Sequence, residues 1–235
     1  MPDSRQKILV FIPTYNDFGV LNAIIDDVSD TLPDARVLVV DDGSHRQARI
    51  DRPVLYVRLP FNLGLGASTH IAMDYALDND YDILLRVDAD GQHPVSEAAR
   101  LVDSLQEGAD VVVASRENRD AGRGLRNVLS RIVRRYLYYA ARITTAKAIP
   151  LDINSGFMAM SSKAMQTINE MELERYPEPQ IVMFAAESDL HVREVGVTQK
   201  QRQQGVSTLG LWAAMRLVFR VTVYAMLILV RKKVA

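Results

Sequence analysis

Short apolar runs alternate with amphipathic stretches through the first half of the chain. Ile8-Leu9-Val10-Phe11-Ile12 is a continuous apolar run of strand length and reads as a strand buried on both faces. It stops at Pro13-Thr14-Tyr15-Asn16-Asp17, where proline closes the strand and Asn16 or Asp17 is placed to cap a helix. From about Gly19 to Leu32, residues Val20, Leu21, Ile24, Ile25 and Val28 share one helical face, and Pro33 marks the end. Val37 to Val40 gives a second strand, followed at once by Asp41-Asp42-Gly43-Ser44. Val54 to Val57 gives a third, followed by Asn62-Leu63-Gly64-Leu65-Gly66 and a helix from about Ala67 to Leu77. A fourth strand at Ile83 to Val87 precedes a helical pattern in which Val95, Ala98, Ala99, Leu101, Val102 and Leu105 share one face.

Strand, polar loop and helix thus repeat. That pattern predicts an α/β fold with a mostly parallel sheet flanked by helices. Each acidic or glycine-bearing loop follows the same end of its strand, so the loops are expected to converge on one cleft. The central stretch is Arg86-Val87-Asp88-Ala89-Asp90-Gly91-Gln92-His93-Pro94. Its two carboxylates, Asp88 and Asp90, lie between a strand end and a helix start. Two hard oxygen ligands there suit a divalent cation that also holds phosphate oxygens. The plainer alternative is a turn, since Asp90-Gly91 is a good turn dipeptide.

The second half changes character. Val111-Val112-Val113-Ala114 reads as another strand and ends at Ser115-Arg116. Arg119, Arg123, Arg126, Arg131, Arg134, Arg135 and Arg142 follow, interleaved with Tyr136, Tyr138 and Tyr139. Gly122 and Gly124 open this helical stretch, which runs to about Thr145. Arginine forks bind phosphate and aromatic rings suit a membrane interface, although a solvated basic helix would look similar. Val192 to Arg202 reads as a further strand. The segment Leu209 to Val230 is apolar enough to approach a bilayer span, but Arg216 and Arg220 interrupt it. It reads as an amphipathic helix lying in a membrane interface, with Arg231-Lys232-Lys233 reaching anionic headgroups. The alternatives are docking on the protein's own core or on a second copy.

Composition narrows the classes. With 235 residues the chain suits one α/β domain with appendages, and 48% apolar content provides a sizeable core. A net charge of −1 argues against a nucleic-acid binder. The absence of cysteine removes thiolate metal sites and disulfides and fits a reducing compartment. Met1 to Lys7 lacks the apolar core of a signal peptide, which argues against export and for a cytoplasmic location.

Several motifs in order resemble the family 2 glycosyltransferases of the GT-A fold. They are Ile12-Pro13-Thr14-Tyr15-Asn16, Val39-Val40-Asp41-Asp42-Gly43-Ser44, Asn62-Leu63-Gly64, Asp88 through Pro94, Ala114-Ser115-Arg116, Ser155-Gly156-Phe157 and Arg202 through Ser207. More narrowly, the chain is similar to polyprenyl-phosphate sugar synthases of the dolichyl-phosphate mannosyltransferase type and to bacterial polysaccharide enzymes. The resemblance implies a catalytic domain over residues 1–205, with a nucleotide-sugar half at 1–115 and an acceptor half at 116–205, followed by the helix at 206–235. It implies that Pro13, Tyr15, Asp17, Asp41 and Asp42 hold the base and ribose of a GDP- or UDP-sugar. Asp17 stands where the family more often has Glu. Asn62, Ala89 and Arg202 join the donor site, and Thr208 replaces a frequent Lys. Asp88 and Asp90 would form the DxD motif, with Gln92 as a further ligand, and a bound Mg²⁺ or Mn²⁺ would neutralise the diphosphate. His93 reads as a packed or turn residue rather than a ligand or base. Arg116, Arg126 and Ser130 would hold an acceptor phosphate, Arg126 and Ser130 lying four residues apart on one helix face. Met158 stands where the family often has Arg after Ser-Gly-Phe.

The expectation is an inverting, metal-dependent transfer to polyprenyl phosphate by a peripheral protein on the inner face of the cytoplasmic membrane, with Asp90, Arg116 and Glu178 in the catalytic set. A lipid phosphate is already an anion and needs placement more than a base. Transfer to a glycan hydroxyl would need a carboxylate base, for which Glu178 in Tyr176-Pro177-Glu178-Pro179 and Asp152 are the candidates. Glu178 could instead favour a helix dipole. A non-catalytic nucleotide-sugar-binding subunit is a rival from another class. A nucleotidyltransferase is a third, although no glycine-rich loop follows the first strand. Homo-oligomer formation is left open.

Overall fold

The computed structural model describes residues 6–116, 125–145, 147–198 and 211–234. Its strands are β1 (Ile8–Thr14), β2 (Arg36–Asp41), β3 (Leu55–Arg58), β4 (Ile83–Arg86), β5 (Val111–Arg116), β6 (Met158–Ser161) and β7 (Val192–Val197). The helices are α1 (Leu21–Thr31), α2 (Leu65–Asp78), α3 (Ala98–Gln106), α4 (Leu125–Thr145), α5 (Ser162–Asn169), α6 (Glu178–Glu187) and α7 (Leu211–Val234). A 3-10 turn at Val95–Glu97 leads into α3.

The strands form one seven-stranded sheet in the order β3-β2-β1-β4-β6-β5-β7. All neighbours are parallel except β6, which is antiparallel to both β4 and β5. That reversal positions the site. Parallel strands deliver their outgoing loops to the cleft, whereas β6 delivers its incoming one. Met158 pairs with Arg86, so Ser155-Gly156-Phe157 arrives at the end of the sheet where Asp88 and Asp90 leave β4.

Alternation along each strand divides the core in two. Leu9, Phe11, Leu38, Val40, Leu84, Val111, Val113, Met158 and Met160 face α2, α5 and α6. Val10, Ile12, Val37, Val39, Ile83, Leu85, Val112 and Ala159 face α1 and α3. Helix α1 buries Leu21, Ile24, Ile25 and Val28, as its periodicity predicts, each worth about 1.5–3 kcal/mol. Its start differs from expectation: the cap is Val20, without a side-chain bond. Asn16 instead adopts a left-handed backbone, with φ of 55°, and its Oδ1 accepts from the His45 N–H. Phe18-Gly19-Val20 separates Asn16 and Asp17 from the helix.

Strand β7 ends at Val197, and residues 199–210 lie outside the described ones. Helix α7 buries Val221, Ala225 and Ile228 in the core that also holds Leu137 and Ala141 of α4 and Ile181 and Val182 of α6. The Tyr136 hydroxyl lies 2.7 Å from Thr222 Oγ1. Arg220 pairs with Glu174 at 3.0 Å, so this charge is accommodated by the protein. The side of α7 away from the core is apolar rather than polar, with Phe219, Val223, Met226, Leu227 and Val230 exposed. On α4, Ile132, Tyr136, Tyr139 and Ile143 form a second exposed stripe. No helix among the described residues is long and apolar enough to cross a membrane.

Candidate active site

At the end of β2 two adjacent carboxylates turn in different directions. Asp41 is fully buried: Oδ1 accepts from the Ser44 N–H at 2.9 Å and Oδ2 accepts from the Tyr56 hydroxyl at 2.7 Å. Burial of Tyr56, together with that bond and the nearby carboxylate charge, pushes its pKa up to about 12. Asp42 Oδ1 accepts from the Leu63 N–H at 2.7 Å, and Oδ2 accepts from the Gly64 N–H at 2.8 Å and from Asn62 Nδ2 at 2.7 Å. Its charge therefore sits at the start of α2, where the helix dipole favours it. Gly43 makes the crossing possible: its φ is +73°, and a Cβ there would meet the Phe61 carbonyl carbon at 2.4 Å.

Pro13, Tyr15 and Asp17 follow β1 at the same end of the sheet, with Pro13 half-buried and Tyr15 exposed. The Tyr15 ring lies 6.3 Å from that of His45. Asn62 Oδ1 also accepts from Arg175. Beyond the turn bond from Ser44, the described bonds of Asp41 and Asp42 come from β3 and from the loop that follows it, so the two carboxylates tie the end of β2 to those segments.

The centre of the site is a buried guanidinium. Arg86 ends β4 and is only 2% exposed. Its Nε and Nη2 both donate to Asp88 Oδ1, at 3.0 and 2.8 Å, and Nη2 also donates to Glu178 Oε1 at 2.9 Å. Burial works against the charge on Arg86. The adjacent Asp88 and Glu178 carboxylates outweigh it and hold the pKa above the ordinary arginine value. Glu178 opens α6 and is itself buried, with Pro179 in the first turn of the helix.

The other side of Asp88 is framed by His93 and Gly156. The Asp88 N–H donates to His93 Nδ1 at 3.0 Å, which puts the proton of a neutral ring on Nε2, 3.6 Å from Asp88 Oδ2. His93 is buried and stacked on Phe157, with ring centroids 5.0 Å apart, so it is packed as its sequence context suggests. Asp90 Oδ1 accepts from the Gln92 N–H at 3.0 Å, closing a tight turn. Ala89 between the two aspartates is buried.

Some predicted residues are placed by backbone alone. Arg116 ends β5, and Arg126 and Ser130 lie on α4; their side chains are outside the described part. Lys200, Arg202 and Thr208 lie outside the described residues. Asp152 is buried, and its carbonyl accepts from the Ser155 N–H, shaping the loop into β6. Among the described residues no group of three or more His, Asp or Glu side chains forms a metal site. Arg86, at the centre of the cluster with Asp88 and Glu178, is assigned no role by the sequence motifs. Its signal was an arginine closing an otherwise apolar strand, a charge that must find buried partners.

A model of glycosyl transferase family 2 matches residues 9–168, more than half of the chain. Polyprenol monophosphomannose synthase of Mycolicibacterium smegmatis is 30% identical over 223 residues, covering 87% of this chain and 82% of that protein. Undecaprenyl-phosphate mannosyltransferase of Micrococcus luteus is 32% identical over 118 residues, covering 47% of this chain and 48% of that one. In fold, the chain is similar to glucosyl-3-phosphoglycerate synthase of Mycobacterium tuberculosis, with a TM-score of 0.71 at 20% identity over 94% of this chain and 78% of that chain. The sheet order, the acidic loop after β4 and these likenesses agree: the chain belongs to glycosyl transferase family 2 and is a glycosyltransferase of the GT-A fold.

Proposed function

We propose that this glycosyltransferase moves a sugar from a GDP- or UDP-sugar to a polyprenyl phosphate, with inversion at the sugar C1. The observation that carries this reading is the likeness to polyprenol monophosphomannose synthase over 87% of the chain. Residues 1–115 hold the donor and residues 116–205 the acceptor. The acceptor phosphate oxygen bonds to C1 as the bond from C1 to the donor diphosphate breaks, and the nucleoside diphosphate leaves. Arg116, Arg126 and Ser130 hold the acceptor phosphate, and Arg202 contacts the donor diphosphate.

The donor set fits a hard divalent cation. Asp88 and Asp90 stand two residues apart at a strand end, with Gln92 in the same turn, and such ions are commonly shared between one or two carboxylates and substrate phosphates. The M. tuberculosis fold relative has been crystallised with Mn²⁺ and UDP and with Mg²⁺ and UDP. A bound Mg²⁺ or Mn²⁺ supplies charge neutralisation to the leaving diphosphate.

Glu178 supports the lipid-phosphate acceptor over a glycan hydroxyl. A hydroxyl needs a base within reach, whereas Glu178 is 8% exposed at its side chain and bonded to Arg86. An anionic acceptor needs only to be oriented. The exposed apolar stripes of α4 and α7 lie on a membrane surface in this reading. Exposed Arg135 and Arg142, together with Arg231-Lys232-Lys233, supply charge complementary to anionic headgroups on the cytoplasmic face. The test is transfer of labelled sugar from GDP- and UDP-sugars into a lipid-extractable product with short-chain polyprenyl phosphate.

A further inference from the structure

Arg86 lies beneath the acidic loop, where its guanidinium joins β4, which delivers Asp88 and Asp90, to the first turn of α6 through Glu178. These elements are 92 residues apart in sequence. We infer that Arg86 is a positioning residue: its two-point hold on Asp88 Oδ1 fixes the first carboxylate of the DxD pair for the metal-bound donor. The inference rests on the metal-dependent reading above.

Three observations carry it. First, the hold is directional. Nε and Nη2 converge on one oxygen of Asp88, while the other oxygen faces His93 Nε2 and the bare face of Gly156. A carboxylate restrained from both sides keeps one orientation. Lysine, a point charge on a flexible stem, cannot reproduce that fork. Second, the charge is apportioned for a cation. Arg86, Asp88 and Glu178 together keep one negative charge, and Asp90 brings another, which suits a divalent ion. Third, the cluster is a poor investment for stability alone. Buried ion clusters often gain little over apolar packing, and Arg86 Nη1 has no hydrogen-bond partner among the described residues.

A merely structural account makes Arg86 the counter-ion that Glu178 needs. Equilibrium binding of Mn²⁺ in the presence of UDP or GDP, read by electron paramagnetic resonance, separates the two. Arg86→Met alone is expected to lower the melting temperature, because Glu178 is left buried without its partner. Arg86→Met/Glu178→Gln removes that conflict and is expected to recover the fold. It should nevertheless bind Mn²⁺ with nucleotide about 10–100-fold more weakly than Glu178→Gln alone, the usual cost of removing a group that orients a ligand. Arg86→Lys keeps the charge and is expected to stay folded while also losing Mn²⁺ affinity. Wild-type affinity in Arg86→Lys, or equal affinity in the double and Glu178→Gln variants, would overturn the positioning role. A wild-type protein that binds no Mn²⁺ with either nucleotide would instead overturn the metal-dependent reading, and the inference with it.

Discussion

Gly156 faces the Asp88 carboxylate with no room for a methyl group: a Cβ there would fall 2.3 Å from Asp88 Oδ2 and 2.8 Å from Arg86 Nη2. The Ser-Gly-Phe motif thus has a steric reason. The loop entering β6 has to pass against the acidic loop, and only glycine permits it. Gly156→Ala is expected to displace Asp88 and cost about 1–3 kcal/mol of stability by overpacking. Urea unfolding measures that loss, and Mn²⁺–nucleotide titration should show a weakened site in the folded variant.

Asp42 holds the Asn62-Leu63-Gly64 loop through two backbone N–H groups and one side-chain amide. Asp42→Ala leaves those donors without their acceptor, at about 1–3 kcal/mol for each group that water does not reach. The expected result is a lower denaturant midpoint together with weaker nucleotide binding. Loss of nucleotide affinity at unchanged stability would indicate that Asp42 acts on the nucleotide alone.

Tyr56 gives a pH prediction. Its hydroxyl titrates at about 12 in the fold, against an ordinary value of 10.0. Below pH 10 the hydroxyl is protonated whether the chain is folded or not, so its contribution is fully present. Above that pH the unfolded chain loses the proton first, and the contribution is lost as pH rises toward 12. Tyr56→Phe should be less stable than wild type at pH 8, and the difference should shrink as pH climbs from 10. Denaturant unfolding across that range provides the comparison.

The outward face of α7 is expected to bind anionic vesicles. Phe219 and Leu227 are 69% and 60% exposed, so replacing both with serine should leave the melting temperature unchanged. Each side chain contributes about 1.5–3 kcal/mol when fully buried, so half-burial of both in the membrane makes the double variant lose about tenfold or more in partition to phosphatidylglycerol vesicles. Unchanged cosedimentation would remove α7 from the membrane contact.

Much of this was legible in the chain for a physical reason. Strands β1, β2, β4 and β5 are buried on both faces and appear as continuous apolar runs. Helices α1, α2 and α3 carry their buried faces at helical spacing. Strand β6 escaped because Met-Ala-Met-Ser is short, has no β-branched residue and is defined by partners far away in sequence. Asp41 and Asp42 look equivalent in sequence, but their oxygens are taken by donors up to 22 residues downstream, which no local pattern reveals. Arg220 reads as an interruption of an apolar helix until Glu174 is placed beside it. Arg86 reads as a strand end until Glu178 arrives from the other half of the chain.

The central claim is tested most directly by sugar transfer to short-chain polyprenyl phosphate from GDP- and UDP-sugars with Mg²⁺ or Mn²⁺. Wild type, Asp90→Ala and Glu178→Gln would be run side by side. The account predicts a labelled lipid product that disappears in Asp90→Ala and persists in Glu178→Gln. Donor binding or hydrolysis that depends on Asp90 without any lipid product would contradict it. So would a loss of several orders of magnitude in Glu178→Gln with donor binding intact, which would instead assign Glu178 as the base for a hydroxyl acceptor.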